Sequence, residues 1–251
     1  MTEPALALRA GGGLDVVVRR LQSLSPLSDE AISLIRGLND AQRVSAGVEL
    51  NRERSTLSRP RFLISGWAAR VRWLPDGRRQ ILGFIVPGEA IGLCLRPHPL
   101  ALATTVALTA LEARDAMPVL RALSGDSPPG GLDEAVRLAA AMDEALLLDQ
   151  VVRLGRQTAY ERMAHLLLEL RDRLGDVGLC DGRSFALPLT QEVLADATGL
   201  SVVHVNRILQ QLRRERLLEL SGGVAVLLDV EQLELAADYQ RPQPSAWGCD
   251  V

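Results

Sequence analysis

Leu189-Thr190-Gln191-Glu192-Val193-Leu194-Ala195-Asp196-Ala197-Thr198-Gly199-Leu200-Ser201-Val202-Val203-His204-Val205-Asn206-Arg207-Ile208-Leu209 is the stretch on which the reading of this chain turns. Two short helices that cross closely need a small residue at the crossing, and Ala195 fills that place. The tight turn between them needs a residue at ease in the left-handed conformation, and Gly199 supplies it. Leu194, Leu200, Val205, Ile208, Leu209 and Leu212 fall on inner faces, as the core of a helix-turn-helix requires. Thr190 and Ser201 are suitable N-caps for the first and second helices. An ordinary αα-hairpin would need only the small residue and the glycine. The spacing, the caps and a wing downstream of the second helix point further. Arg213 to Leu220 continues from helix into strand, Ser221-Gly222-Gly223 makes a tight turn, and Val224 to Leu228 returns to complete that wing. Glu231 to Ala237 then reads as a short closing helix.

The second helix turns Val202, Val203, Asn206, Arg207, Gln210 and Arg214 outward at helical spacing. Such a face fits a major groove, with its N-terminal residues nearest the base edges. Arg207 has the two donors that a guanine edge accepts, Asn206 matches adenine, and Val202 or Val203 suits a thymine methyl. Thr190, Ser201 and His204 are placed for phosphate oxygens, with Gln191 beside them. Arg207, Arg213, Arg214 and Arg216 form a local basic cluster in which Glu215 is the only acid. The net charge of −3 argues against a generic nucleic-acid coat but not against a specific reader, because affinity depends on the local phosphate-facing charge.

Upstream, Leu14 to Leu38 is helical in period, with Ser28 before Asp29 and Glu30 as a helix start. From Val44 to Met117 short apolar or alternating runs are cut by Gly47, Pro60, Gly66, Pro75-Asp76-Gly77 and Pro87-Gly88, the texture of an antiparallel barrel or roll. Phe62 to Trp73 reads as strand, turn, strand, and Ile81 to Val86 as the next strand. Gly125 to Gly131 punctuates the chain before a long helical run, Leu132 to about Leu154. One of its stripes is Val136, Ala140, Leu147, Val151 and Leu154; the other is Leu138, Met142, Ala145, Leu148 and Val152. Two stripes predict one face on the roll and one on a second chain. Asp143 and Asp149 keep the run from being a strict coiled coil, and a merely buried helix is the alternative. A second helix, Thr158 to Leu174 with Gly175 ending it, is expected to turn Tyr160, Met163, Leu166, Leu167 and Leu170 inward and Arg162, Glu169, Arg171 and Asp172 outward.

Taken with Leu154-Gly155-Arg156-Gln157-Thr158-Ala159-Tyr160-Glu161-Arg162 and Pro87-Gly88-Glu89-Ala90-Ile91-Gly92, the helix-turn-helix stretch resembles the Crp/Fnr family of bacterial transcription regulators. The resemblance spans nearly the whole chain. It implies an α+β protein with an N-terminal antiparallel β-roll of cyclic-nucleotide-binding type at 14–125. A dimerisation helix at 126–156 and a winged helix-turn-helix at 157–240 complete it; the tail at 241–251, with two prolines and little periodicity, is expected to be flexible. It also implies a homodimer reading a near-palindrome of double-stranded DNA, its recognition helices about 34 Å apart on a bent site, with RNA polymerase as a candidate partner.

The family's nucleotide receptors grip a cyclic phosphate with a Gly-Glu pair and a later Arg followed by Ser or Thr. Gly88 and Glu89 match the pair, but the Arg-Ser position falls near Ala101-Leu102, and no arginine lies between Arg96 and Arg114. A phosphate without its guanidinium loses a bidentate contact, so cyclic AMP is not expected to bind tightly. Leu93 to Leu111 is apolar instead (Leu95, Leu100, Ala101, Leu102, Ala103, Val106). Either side chains fill the degenerate pocket, the preferred reading, or it admits an apolar effector. The effector is unknown.

Composition closes other routes. Hydrophobic residues make up 47% of the chain and aromatics 3%, so aliphatic packing dominates. All 28 basic residues are arginine. The three cysteines, Cys94, Cys180 and Cys249, form no CxxC pair, which removes a zinc site or an iron–sulfur cluster held within one chain. No cofactor or metal is expected; His98 between Pro97 and Pro99 is only a weak candidate for a haem ligand. The three histidines form no catalytic constellation, His165 reads as a packing or surface residue, and Gly11-Gly12-Gly13 lacks the strand and helix of a phosphate loop, so no enzyme is expected. Nothing reaches membrane-spanning length, and Met1 to Gly13 does not read as a signal peptide, which predicts a cytoplasmic protein without a membrane partner. The competing reading is a sensor or protein–protein adaptor that keeps the winged helix without reading DNA.

Overall fold

The computed structural model describes residues 13–242. These divide into two compact units, one ending at Leu147 and the other running from Leu148 to Arg241. The expected flexible tail beyond residue 242, Cys249 and Gly11-Gly12 lie outside the described residues.

The first unit opens with two short helices, α1 (Asp15–Gln22) and α2 (Asp29–Arg36). Ser28 caps α2, its side chain accepting from the Ala31 amide at 3.2 Å, as its place before two acids predicts. Eight strands follow: β1 (Gln42–Val44), β2 (Glu49–Asn51), β3 (Arg61–Ser65), β4 (Ala68–Trp73), β5 (Arg79–Ile85), β6 (Ala90–Ile91), β7 (Thr104–Ala107) and β8 (Leu111–Asp115). They form two antiparallel four-stranded sheets, in the orders β1-β8-β3-β6 and β2-β7-β4-β5. Strands adjacent in sequence therefore change sheets repeatedly. β3 and β4, although separated only by Gly66-Trp67, lie in different sheets, whereas β4 and β5 pair as a hairpin closed by Pro75-Asp76-Gly77. Leu63, Ile91, Leu111 and Ala113 from one sheet meet Ala68, Ile85 and Ala107 from the other in one buried cluster. This is the roll that the short strands predict.

A helix over Met117–Leu123, α3, follows β8; its Pro118 stands in the first turn, where a missing amide costs nothing. α4 (Leu132–Arg156) begins after Gly131 and crosses the division between the units. Within the first unit Arg70 of β4 meets Asp143 of α4 at 2.6 Å, which gives one of the acids in the helix a partner.

The second unit holds the last turns of α4, then α5 (Ala159–Asp176), β9 (Ser184–Ala186), α6 (Gln191–Thr198), α7 (Val202–Arg214), β10 (Leu218–Ser221), β11 (Val224–Leu227) and α8 (Val230–Ala237). α5 starts with a full capping box: the Glu161 amide donates to Thr158 Oγ1, and the Thr158 amide donates to Glu161 Oε2 at 2.7 Å. α5 runs through Gly175 and ends at Asp176. It packs against α6, α7, α8 and β9, so it is surrounded rather than laid on a surface.

That position corrects the outward assignment of Glu169 and Asp172, both of which are buried. Glu169 accepts from Arg173 Nη1 at 2.6 Å and pairs with Arg153 of α4. Asp172 accepts from Arg171 and, at 2.9 Å, from the Tyr239 hydroxyl. Burial alone would push the Glu169 carboxyl up, but the two guanidinium groups outweigh it and hold it below its ordinary value. His165 is buried in the same cluster. Its Nδ1 lies 2.9 Å from Arg153 Nη2 and its ring meets Tyr239 edge-on. Arginine only donates, so Nδ1 accepts and the ring is neutral. Burial first, then Arg153, push its pKa down to about 4.

No helix among the described residues is long and apolar enough to cross a membrane, and none of their His, Cys, Asp and Glu side chains group as three or more around a metal position.

Candidate DNA-binding surface

α6 and α7 form a helix-turn-helix. Thr190 caps α6, accepting from the Val193 amide at 3.3 Å, and Ser201 caps α7, accepting from the His204 amide at 3.2 Å. Each hydroxyl keeps its own hydrogen to donate. The turn is made by Gly199 at φ 66° and ψ 30°, the left-handed conformation its place requires. Leu194, Ala195 and Ala197 of α6 and Val205, Ile208, Leu209 and Leu212 of α7 are buried, and Leu200 in the turn is half-buried. The α6 carbonyls that helix geometry leaves without partners are supplied from outside: Arg162 Nη1 donates to Thr198 O at 3.1 Å and Gln150 Nε2 to Ala197 O at 2.7 Å.

The opposite side of α7 faces solvent. Val202, Val203, Asn206, Arg207, Gln210 and Arg214 are all exposed, as are Thr190, Gln191 and Ser201, and His204 is half-buried. Val203 is 81% exposed, so this apolar side chain contributes nothing to the core of its own unit. Arg207 Nη2 lies 3.0 Å from His204 Nε2, one turn back on the same face. The fold thus brings all ten residues expected at a DNA interface to the first turn of α6 and the open face of α7.

The wing is a three-stranded sheet in the order β10-β11-β9. Ser221 pairs with Val224 across Gly222 and Gly223, at φ 58° and 77°, a two-residue turn that needs two residues tolerant of positive φ. β9 has no clear sequence signal, since three residues are too few to show alternation. α7 ends at Arg214, and Arg216, just past its C-cap, stands at φ 56°, with the Leu217 amide reaching back to Leu212 O at 2.9 Å. Glu215, the acid inside the basic cluster, accepts from the Tyr160 hydroxyl at 2.6 Å and from Gln211 at 3.0 Å. Those hydrogen bonds hold its carboxyl below the ordinary range. Arg213 donates to Leu220 O at 3.2 Å, tying α7 to the wing.

In the roll, Gly88 and Glu89 close a turn. The Gly88 amide donates to Leu63 O at 2.7 Å, and Glu89 Oε2 accepts from the Val86 amide at 3.1 Å. Ala101 is buried, but Leu102 is 72% exposed, and Leu95 and Leu100 are exposed too. These leucines therefore do not fill a pocket, which corrects the preferred reading of this apolar stretch. The 93–103 segment is loop apart from a single bridge between Leu100 and Thr56, and Leu93 in it is half-buried. His98 is exposed in the same segment, at φ 48°.

Comparisons with known proteins agree with this geometry. Residues 161–236 match the family described as the Crp-like helix-turn-helix domain. The transcriptional activatory protein AadR of Rhodopseudomonas palustris is 31% identical over 178 residues, covering 70% of this chain and 72% of that protein. The nitrogen fixation regulation protein FixK of Bradyrhizobium diazoefficiens is 30% identical over 185 residues, with the same two coverages, 70% and 72%. The structure of FixK2 from Bradyrhizobium japonicum superposes with a TM-score of 0.69 at 25% identity, over 80% of this chain and 98% of that one. With a roll, a long helix and a winged helix-turn-helix in the same order, the chain belongs to the Crp/Fnr family of transcriptional regulators.

Proposed function

We propose that this protein is a homodimeric, sequence-specific DNA-binding regulator that sets α7 into the major groove of a near-palindromic site. The observation that carries the reading is the division of α7 into a buried face, Val205, Ile208, Leu209 and Leu212, and an exposed one bearing Asn206, Arg207, Gln210 and Arg214. A helix serving only its own core has no use for Val203 and Arg207 at adjacent exposed turns. In this reading Arg207 takes the O6/N7 edge of guanine, Asn206 an adenine, and Val202 or Val203 a thymine methyl. Thr190, Gln191, Ser201 and His204 hold phosphates at the two helix N-termini, where backbone amides favour an anion. Gln210 and Arg214 extend the contact along the groove.

The second copy is recruited through the exposed apolar end of α4, where Leu147, Leu148, Val151 and Val152 are 48–62% exposed. Cyclic AMP is not the effector, because Ala101 and Leu102 stand where its phosphate would need a guanidinium. The protein works in the cytoplasm, with RNA polymerase as the partner of its regulatory step, and no catalysis is assigned to it.

Fluorescence anisotropy on the duplex upstream of its own coding region, titrated with salt, tests the reading. Binding should weaken steeply as salt rises, with a linear log–log slope. Arg207→Ala should lose about 1–3 kcal/mol of specific affinity while keeping the melting temperature, since the side chain is exposed. Unchanged affinity in Arg207→Ala would remove that residue from the base-reading face; salt-independent or absent duplex binding would remove the whole reading.

A further inference from the structure

The last turns of α4 belong to the unit that contains α7, and they present two opposed faces. Leu148, Val151 and Val152 are exposed at 62%, 62% and 54%, whereas Gln150 and Arg153 are buried at 5% and 2%. Polar side chains are buried this deeply only when hydrogen-bonded, and these two are bonded to each other. Arg153 Nη1 donates to Gln150 Oε1 at 2.7 Å. Because the arginine cannot accept, the Gln150 amide is oriented: its oxygen faces Arg153 and its nitrogen donates to Ala197 O at 2.7 Å. Arg153 in turn is held by Glu169, and Glu169 by Arg173. The bonded carbonyl lies in the last turn of α6, two residues before Gly199, the turn that launches α7.

We infer that Gln150 is a positioning residue for DNA reading: it locks the turn between α6 and α7 to α4, and so sets the angle at which α7 leaves α4. The inference rests on the dimeric reading above. If Leu148, Val151 and Val152 meet a second copy, the seam and the lock share two turns of one helix. Residues 148 and 150 are only about 3 Å apart along the axis. The part of the seam that α4 supplies and the lock on α7 then lie within one unit.

The test uses the full chain and a pool of random-sequence duplexes, selected by binding and then sequenced. Wild type should enrich one half-site word in pairs at a single spacing. Gln150→Glu keeps an acceptor for Arg153 but sets an acceptor against Ala197 O; Gln150→Met removes the hydrogen bonds to Ala197 and Arg153 at nearly the same length. Either variant that sediments as a dimer should still enrich the same word, spread over several spacings. Affinity for the wild-type-selected duplex should fall about tenfold, the scale of one buried hydrogen bond. A purely structural role predicts otherwise: reduced stability or affinity with the single spacing retained, and that result overturns the assignment. Enrichment of unpaired words by wild type would overturn the dimeric reading and the assignment with it, whereas a paired word in wild type with unchanged spacing in both variants would overturn the assignment alone.

Discussion

The buried His165 makes the second unit acid-sensitive in a window that can be named beforehand. The ring is only 6% exposed, accepts a hydrogen bond from Arg153, and has its pKa pushed down from 6.5 to about 4. In the unfolded chain it titrates near 6.5. Between those two values the unfolded state binds a proton that the folded state refuses, so stability falls as pH falls. The contribution is complete above about pH 6.5, erodes from there downward, and is lost once pH reaches about 4. At roughly 1.4 kcal/mol for each pH unit, that gap amounts to about 3–4 kcal/mol, an order-of-magnitude figure. Glu169 acts in the same direction but lower, because its carboxyl is held below its ordinary value and loses its ion pairs only under stronger acid. Urea unfolding followed at a series of pH values separates the two. His165→Gln keeps an acceptor for Arg153 without a titrating ring, so its stability should stay level where wild type declines and then fall with wild type in stronger acid. Parallel curves for the two proteins between pH 6.5 and 4 would show that the ring is protonated at little cost, and the burial argument would fail.

Other perturbations have equally definite outcomes. Gly199→Ala places a Cβ at φ 66°, 3.2 Å from Leu154 Cδ2; it should cost about 1–2 kcal/mol from the left-handed backbone alone, read as a lower denaturation midpoint, and an unchanged midpoint would show that the turn relaxes freely. Leu148→Asp combined with Val151→Asp adds charge to side chains already exposed in one copy, so each chain should stay folded by circular dichroism while sedimentation shows the dimer lost; a persistent dimer would move the seam elsewhere. Calorimetric titration with cyclic AMP should show no micromolar binding, and a saturable micromolar isotherm would overturn the argument from the missing arginine.

Local chemistry makes the helix-turn-helix and its wing legible. Thr190, Ser201, Gly199 and Gly222-Gly223 each mark a cap or a turn through a requirement met within a few residues, and the structure places them in those roles. The roll is visible as texture but not as topology, because nothing between β3 and β4 says that Gly66-Trp67 carries the chain from one sheet to the other. Charged residues inside α5 mislead for a related reason. Helical periodicity sends Glu169 and Asp172 outward; besides the nearby Arg173 and Arg171, each is met by a partner on another element, Arg153 for one and Tyr239 for the other, which periodicity does not show. Leu102 fails in the opposite sense. Its apolar side chain is expected in the interior, yet the loop carries it out to solvent.

The long helix shows best how one sequence pattern can hold two meanings. Two apolar stripes along α4 suggest two faces, one for the roll and one for another chain, side by side over its whole length. The structure divides the stripes by position along the helix instead. In the first half Val136 and Met142 are buried, Leu138 and Ala145 half-buried and only the small Ala140 exposed; from Leu147 onward Leu147, Leu148, Val151 and Val152 are exposed, two from each stripe, with Leu154 half-buried. The acids fit the same division. Asp143 is paired with Arg70 of the roll. Asp149 has its carboxyl pushed up by partial burial and by Glu169, with Arg153 opposing, so it belongs to the ion cluster beneath the helix-turn-helix. A seam confined to these two turns is short beside the roughly 800 Å² per partner that a stable interface buries. On the dimeric reading proposed above, a second copy must therefore draw on surface besides α4, and the part of α4 assigned to it is the part already bound, through Gln150, to the turn before α7.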